Sequence, residues 1–117
     1  MKPDPIRDRT LKFAISIFNF SQFLTDNRKE YILSKQLVRS GTSVGAQLSE
    51  ALYAESKADF IHKNALAQKE INETIYWLRI YINSGFETGN QIQALYEEAI
   101  QILAIITAIL KKLKTKP

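Results

Sequence analysis

The side chains best suited to chemistry in this 117-residue chain are a lone histidine and the carboxylates near it in sequence. Asp59 and His62 stand three residues apart, so a helix would place both on one face. Di-metal sites in helical bundles need a Glu-x-x-His motif from each of two helices and two further glutamates. Glu50, Glu70 and Glu73 supply carboxylates, but a chain with one histidine lacks the second motif. The sequence therefore predicts a helix-capping Asp59 beside a surface His62, and no metal site.

Nucleophilic and phosphate-binding motifs are also missing. The chain has no cysteine, which removes thiolate chemistry and disulfides. Ser40 and Ser43 have no histidine close in sequence to activate them, and the sequence contains no Gly-rich phosphate loop or dinucleotide fingerprint. Glu70 and Glu73 have the spacing of ordinary solvated helix carboxylates. We therefore expect a protein that is not an enzyme and that uses no cofactor.

Composition and length indicate a small globular protein. Hydrophobic residues make up 45% of the chain and charged residues 24%, which is ordinary for one domain spanning residues 1–117. All the prolines lie near the termini, so nothing interrupts long helices between them. No signal-peptide core is present, and the longest strongly apolar run, Ile102–Leu110, is shorter than the roughly 20 residues of a membrane span. The expected location is the cytoplasm, without membrane association.

Apolar residues recur at helical spacing in four segments that are separated by turn residues. Asp4 followed by Pro5 is typical of a helix start, because proline costs nothing at the first helical position. A polar run that ends in Asn27 closes helix 1. Asn27 and Glu30 have the spacing of a capping box, which predicts the start of helix 2, and helix 2 should run to about Ala54.

The later helices have equally local start and stop signals. Ser56 with Asp59 predicts the start of helix 3, Gly85 its end, and the segment 88–90 the cap of helix 4. Four helices joined by short connections predict an all-α fold, an antiparallel up-and-down four-helix bundle. The predicted core positions are Phe13, Ile17, Phe20 and Leu24, with Ala14 and Phe18 beside them; Leu33, Leu37, Val44, Leu48 and Ala51; Phe60, Ala67, Ile71, Ile75, Leu78 and Ile82; and Ile92, Leu95, Ala99, Ile102, Ile106, Ile109 and Leu113.

Helix 4 carries more apolar surface than one bundle face requires. Ile100, Leu103, Ile105 and Leu110 lie beside or beyond its heptad seam, and residues 102–110 carry no charge. Such a surface could be wholly internal if the face is wide. Left exposed on a monomer it would favour aggregation, so we favour self-association through helix 4.

Helix 2 carries a polar stripe with steps of four, three, four and three residues. Its members are Gln36, Ser40, Ser43, Gln47 and Glu50. Gly41 and Gly45 lie beside it and would let another helix approach closely. The stripe is either a packing groove whose polar groups are hydrogen-bonded or a ligand surface, and we favour the groove.

Three segments resemble one protein family. Residues 36–51, QLVRSGTSVGAQLSEA, resemble the signature of the four-helix-bundle proteins encoded in 23S rRNA intervening sequences, formerly labelled S23 ribosomal proteins. The resemblance continues through residues 55–63, ESKADFIHK, and 69–78, KEINETIYWL. Gln47 and Leu48 depart from the asparagine and isoleucine usual in the family, and both changes are conservative in packing.

The resemblance implies an up-and-down bundle that assembles as a homopentamer, associates with nucleic acid and has no catalytic activity. The family includes the accessory protein of diversity-generating retroelements, which partners a reverse transcriptase. The Glu-rich segment of helix 3 is expected to bond the polar stripe of helix 2. Tyr76 and Trp77 in the same segment are interpreted as packing residues rather than as base-stacking platforms.

Positive charge is predicted to concentrate at one end of the bundle, where both termini and the helix 2–3 connection meet. Ten cations there accompany four carboxylates, an excess of six against +4 for the whole chain. This surface would contact phosphates and bind with strong salt dependence, although it could also be a solvated lysine-rich tail. Arg39, beside the polar stripe, is a second candidate that could pair with a carboxylate instead. The predicted nucleic-acid-binding residues are Arg7, Arg9, Lys12, Arg39, Lys57, Lys63, Lys111, Lys112, Lys114 and Lys116.

The sequence thus predicts a non-enzymatic, oligomeric helical bundle that binds RNA or DNA through a basic surface. The alternative is a scaffold that binds a protein partner and has no direct role with nucleic acid.

Overall fold

The computed structural model describes residues 4–115, and these form a ring of four antiparallel helices. α1 spans Pro5–Asn27, α2 spans Leu33–Ala51, α3 spans Lys57–Asn83 and α4 spans Asn90–Thr115. Each helix packs against the next in sequence, and α1 closes the ring against α4. The bundle measures 49 × 24 × 23 Å. The predicted antiparallel four-helix bundle is confirmed.

Three helix ends follow from local chemistry, as predicted. The Asp4 carboxylate caps α1 by accepting the N–H of Arg7 at 3.2 Å. The Ser56 hydroxyl caps α3 by accepting the N–H of Asp59 at 3.0 Å. Gly85, with φ of +77°, takes the left-handed conformation that ends α3. Two side-chain caps and one left-handed glycine therefore fix where three of the eight helix ends lie.

The α1–α2 connection differs from the prediction. α1 continues through Asn27, which therefore does not cap α2, and the chain turns at Lys29 with φ of +55°. Glu30 caps α2 by itself, because its carboxylate accepts the N–H groups of residues 32–34, each at 2.8 Å. A carboxylate at a helix start satisfies donors that have no partner within the helix, and the helix dipole favours its charge. α2 ends at Ala51, one turn earlier than predicted.

Glu30 also joins α2 to the end of α3. The hydroxyl of Tyr81, which is 1% exposed, donates to the same carboxylate. Burial acts to raise the pKa of Glu30, but the hydrogen bonds from Tyr81 and the backbone outweigh it and lower the pKa. Burial and Glu30 together raise the pKa of Tyr81. Close by, Arg28 pairs with Glu87 at 2.8 Å and lies 4.6 Å above the Phe86 ring.

Two glycines allow α1 and α2 to approach closely. A Cβ atom at Gly41 would lie 2.8 Å from Cγ2 of Ile17, and one at Gly45 would lie 3.1 Å from Oγ1 of Thr10. Both distances are shorter than ordinary van der Waals contact, so larger residues would push the helices apart. The small residues of the predicted stripe region therefore serve packing between α1 and α2.

α4 turns most of its apolar surplus inward. Leu110 is fully in the core and Leu103 packs against it, whereas Ile100 remains 38% exposed. The prediction that Leu110 lies outside the seam is wrong, since Leu110 is buried where Ile109 and Leu113 are only half-buried. A helix that packs on two neighbours buries a wide face. By length and composition alone, α4 is also apolar enough to cross a membrane.

Three large apolar side chains are exposed on α1. Leu11, Ile15 and Phe18 are between 51% and 60% exposed and follow one another at helical spacing, so the prediction of Phe18 beside the core is wrong. We call these three residues the α1 apolar face. Residues 13–25 carry no charge, and clefts of 400 and 380 Å³ run along the junction of this face with α2. The α1 apolar face is therefore an exposed apolar strip without charged side chains.

Candidate nucleic-acid interface

The up-and-down topology brings the start of α1, the end of α2, the start of α3 and the end of α4 to one end of the bundle, which we call the basic end. A cleft of 220 Å³ there is lined by residues from all four segments, among them Arg7, Leu52, Phe60 and Ile109. Lys116 lies outside the described residues. The predicted binding residues at or near the basic end are Arg7, Arg9, Lys12, Lys57, Lys63, Lys111, Lys112 and Lys114.

Three of these cations are paired within the chain. The pairs and their N–O distances are Arg7–Asp4 at 3.8 Å, Arg9–Glu98 at 2.6 Å and Lys63–Glu50 at 3.2 Å. Arg9 binds Glu98 with two nitrogens, and this hydrogen bonding outweighs partial burial and raises the pKa of Arg9. All three pairs lie at the surface, where ion pairs are worth little and can exchange for a phosphate.

Five of the predicted cations have no ion pair within residues 4–115. Lys57, Lys111, Lys112 and Lys114 are exposed around the ends of α3 and α4. Cations in the last turn of a helix are also favoured by the helix dipole. Lys12 lies further along α1, on a cleft of 460 Å³ between α1 and α4. The α4 lysines and Lys57 are therefore the cations most available to a phosphate.

The local charge of the basic end is smaller than the sequence predicted. Glu50 and Glu98 join the four acidic residues expected there, because each pairs with one of its cations. Within the described part of the chain, eight cations accompany six carboxylates, an excess of two, where the same eight cations with the four expected carboxylates would give four. Lys2 and Lys116, which the prediction counted, lie outside those residues. Among residues 4–115, the unpaired cations of the basic end are thus Lys57 and the three lysines at the end of α4, with Lys12 further along α1.

Arg39 lies away from the basic end, where α2 packs on α3. Its guanidinium binds Glu70 at 3.3 Å and also binds Glu73. Hydrogen bonding with Glu73 is the main cause of a raised pKa for Arg39 and outweighs partial burial. This is the carboxylate pairing that the sequence left open, and it bonds the Glu-rich segment of α3 to α2.

The polar stripe of α2 is a packing groove at its centre. Ser40 is buried and accepts the hydroxyl of Thr74 at 2.8 Å. Gln47 is half-buried, with its side-chain oxygen lacking a partner among residues 4–115. Gln36 and Glu50, at the ends of the stripe, are exposed. The groove interpretation therefore holds at Ser40, but neither at Gln47, whose oxygen has no partner within the described residues, nor at the two exposed ends.

Asp59 and His62 take the positions expected of a cap and a surface residue. The Asp59 carboxylate accepts the N–H of Glu55 at 3.2 Å, and His62 is exposed one turn later. Across residues 4–115, no three histidine, aspartate or glutamate side chains converge in a group that could hold a metal ion. The geometry of this pair is that of a helix start.

Sequence reasoning missed a second polar stripe, on the outer face of α3. All its members are exposed, and they follow one another at alternating steps of three and four: Lys69, Asn72, Tyr76, Arg79 and Asn83. We call this set the α3 stripe. Tyr76 is 58% exposed, so its interpretation as a packing residue is wrong, whereas Trp77 does pack against the core. The spacing was visible in the sequence, but it is also that of any solvated helix face.

Comparison with known proteins identifies the family. Residues 5–108 match the family described as 23S rRNA-intervening sequence protein, which is nearly the whole described chain. The chain belongs to this family. The family description names no catalytic activity, and no curated protein matches the chain.

A solved structure supports the same assignment for this 23S rRNA-intervening sequence protein. A crystal structure of a protein of unknown function from the S23 ribosomal protein family, from Bacteroides thetaiotaomicron VPI-5482, is 42% identical to it. The alignment covers 91% of this chain and 98% of that chain, with a TM-score of 0.87. The resemblance seen in the sequence is therefore confirmed as membership of the family.

Proposed function

We propose that this family member is a non-catalytic, self-associating bundle that binds nucleic acid through phosphate contacts at its basic end. The observation that carries the proposal is the exposed group of Lys57, Lys111, Lys112 and Lys114, which have no carboxylate partner among the described residues. A paired cation must exchange its carboxylate for a phosphate, whereas an unpaired cation can bind a phosphate directly. Unpaired surface ammonium groups gain from the counterions that nucleic acid releases on binding.

The chemistry of this group favours the nucleic-acid backbone over the bases. A lysine ammonium is a compact charge on a flexible stem, without the fixed fork that lets arginine read a base edge. Contacts of this kind position a protein on nucleic acid but carry little sequence information. We therefore expect weak sequence preference and steep salt dependence.

Fluorescence anisotropy with a fluorescein-labelled DNA duplex and an RNA hairpin, across a salt series, tests this proposal. For duplex DNA the logarithm of the binding constant should fall with the logarithm of salt by about 0.9 per phosphate contact. The double variant Lys112→Gln/Lys114→Gln should bind more weakly and reduce that slope by about 1.8 if each lysine contacts one phosphate.

The matched control removes two cations from the other half of the bundle. Lys29 and Lys35 are exposed and lie beside the α1–α2 connection, so Lys29→Gln/Lys35→Gln makes the same change in net charge. The control should keep the wild-type slope. Equal losses in both variants would mean a net-charge effect without a site. No binding to either polymer at low salt would overturn the proposal and favour the scaffold for a protein partner.

Self-association is proposed through the α1 apolar face. Its three large side chains are exposed on an uncharged strip, and covering such a strip releases water from apolar surface. Five chains of 13.4 kDa, the number that the resemblance implied, would weigh about 67 kDa in sedimentation velocity. Ile15→Ser/Phe18→Ser should shift the protein to monomer, whereas Ile100→Ser, on α4, should not. If the wild-type protein is a monomer, the proposed self-association is refuted, and the α1 apolar face would instead be a surface for a different protein partner.

A further inference from the structure

The α3 stripe presents two cations and an aromatic ring on one helix face. From Lys69 to Asn83 it extends about 21 Å at 1.5 Å per residue. The two carboxylates of the same helix segment, Glu70 and Glu73, are turned toward α2, where Arg39 binds them. The outer face of this segment therefore keeps its positive charge, although the segment as a whole contains both signs.

Tyr76 is held as an exposed aromatic platform in the middle of the stripe. Its ring meets the ring of Trp77 edge to face, with the centroids 5.5 Å apart. Trp77 packs against the core, so the contact limits the motion of Tyr76. A cleft of 230 Å³ lies beside the platform, lined by Tyr76, Arg79, Ile80 and Asn83. An aromatic face, a guanidinium and an amide thus border one concave site.

We infer that the α3 stripe binds single-stranded nucleic acid, with a base stacked on Tyr76 and phosphates contacted by Lys69 and Arg79. Stacking on aromatic rings combined with cations along the backbone is how proteins hold single strands without sequence preference. In a duplex the faces of the bases are covered by their neighbours, so an exposed tyrosine favours unpaired nucleotides. The inference rests on the proposed function, to which it adds a second surface and a ligand class.

The stripe also leads toward the basic end. Gln68, beside Lys69, donates to the hydroxyl of Thr107 on α4 at 3.0 Å. Lys111 follows one turn after Thr107 on α4, in the direction of the basic end. A single nucleic-acid strand bound to Tyr76 and Lys69 can therefore continue toward the lysines that, in the proposed function, contact phosphates.

The test compares a fluorescein-labelled single-stranded RNA with its duplex by anisotropy. Stacking of one base on an aromatic side chain corresponds to about a 5- to 150-fold loss of affinity when that side chain is removed. Tyr76→Ala should show this loss on the single strand and none on the duplex, while Tyr76→Phe, which keeps the ring, should bind as wild type. Arg79→Gln and Lys69→Gln should each reduce the salt slope by about 0.7.

Matched controls and an internal probe sharpen the result. Tyr31 is 58% exposed, the same fraction as Tyr76, but lies in the α1–α2 connection, so Tyr31→Ala should leave binding unchanged. Trp77 is the only tryptophan, and its emission should change when a base stacks on the neighbouring Tyr76. Lys35→Gln is the control for loss of one positive charge.

The outcomes separate this inference from the proposed function. If Tyr76→Ala binds the single strand within about twofold of wild type, the stripe is not the site. If Lys112→Gln/Lys114→Gln then still weakens duplex binding, the basic end is a nucleic-acid-binding site and the α3 stripe is not. Wild-type binding to duplex but not to single strand would overturn the inference only. Loss on Tyr76→Ala, retention on Tyr76→Phe and a Trp77 response would together establish it.

Discussion

Replacing Glu30 with glutamine should destabilise the bundle substantially, although it changes only one charged group. The carboxylate accepts three backbone N–H groups at the start of α2 and the hydroxyl of buried Tyr81. Glutamine has one acceptor oxygen and no charge. It therefore leaves part of the helix start without a partner and weakens the bond to Tyr81.

The magnitude follows from the groups that lose their partner. Loss of a helix N-cap costs about 0.5–2 kcal/mol, and a hydrogen bond to a charged group contributes about 1.5–3 kcal/mol. These effects overlap in Glu30→Gln, so we expect a loss of about 2–4 kcal/mol in the free energy of unfolding. Domains of this size are stable by about 5–15 kcal/mol, so the loss would be a large fraction.

The stabilisation by Glu30 should also depend on pH. Hydrogen bonds lower its pKa in the folded chain below the ordinary value of 4.5. The charged form is then fully present above about pH 4.5, and its contribution is lost as the pH falls through the folded pKa. Wild type and Glu30→Gln should therefore differ most near neutral pH and converge in acid.

Urea denaturation followed by circular dichroism, at neutral pH and in an acid series, measures both effects. With a slope of about 2 kcal/mol/M, the middle of the usual range, the midpoint of Glu30→Gln should fall by about 1–2 M at neutral pH. Glu97→Gln, which removes an exposed carboxylate of α4, is the control and should change little. Equal midpoints for wild type and Glu30→Gln, or a difference that does not vary with pH, would refute the role given to Glu30.

Two further substitutions test the packing and the surface pairs. Gly41→Ala should lower the free energy of unfolding by about 1–2 kcal/mol net in thermal unfolding, because its Cβ meets Ile17 at 2.8 Å. The control is Gly89→Ala, where an added Cβ has no atom within 4 Å, and it should stay within about 0.5 kcal/mol of wild type. Arg39→Gln should cost less than about 1 kcal/mol in urea denaturation, since its pair with Glu73 is exposed; a larger loss would mean that the pair is buried by assembly.

The sequence predicted the helices well because their signals are local. Ser56 and Gly85 each act within a few residues of themselves, through a side-chain cap and a left-handed backbone. The spacing of apolar residues likewise needs no knowledge of the neighbouring helices. The prediction failed at Glu30, where the carboxylate reaches forward to the residues 32–34 and also receives a hydroxyl from Tyr81, 51 positions away.

Burial at the edges of the helix faces could not be predicted from one helix at a time. Phe18 and Leu110 each lie beside an apolar seam, yet Phe18 is exposed and Leu110 is buried. The difference depends on which side of the helix carries a neighbour. The seam alone gives the direction of the core but not the width of the covered face.

The sequence predicted which helix ends lie together, but not which charges there are paired. The topology puts the start of α1 and the end of α4 beside the α2–α3 connection, as the sequence indicated. Which cations remain unpaired depended on partners from other helices, such as Glu98 for Arg9, and their distance in sequence hides them. Tyr76 was misjudged because the type of a residue does not say whether it faces the core.

The ring of helices has a consequence for how the chain folds. Three of the four interfaces between helices join helices that are adjacent in sequence. Proteins rich in contacts between residues close in sequence fold within microseconds to milliseconds. The interface between α1 and α4 is different, because it joins the first helix to the last, and it is also the least closely packed. A cleft of 460 Å³ and the exposed pair of Arg9 with Glu98 lie along it. We therefore expect the α1–α4 interface to form last during folding and to open first when the native bundle fluctuates.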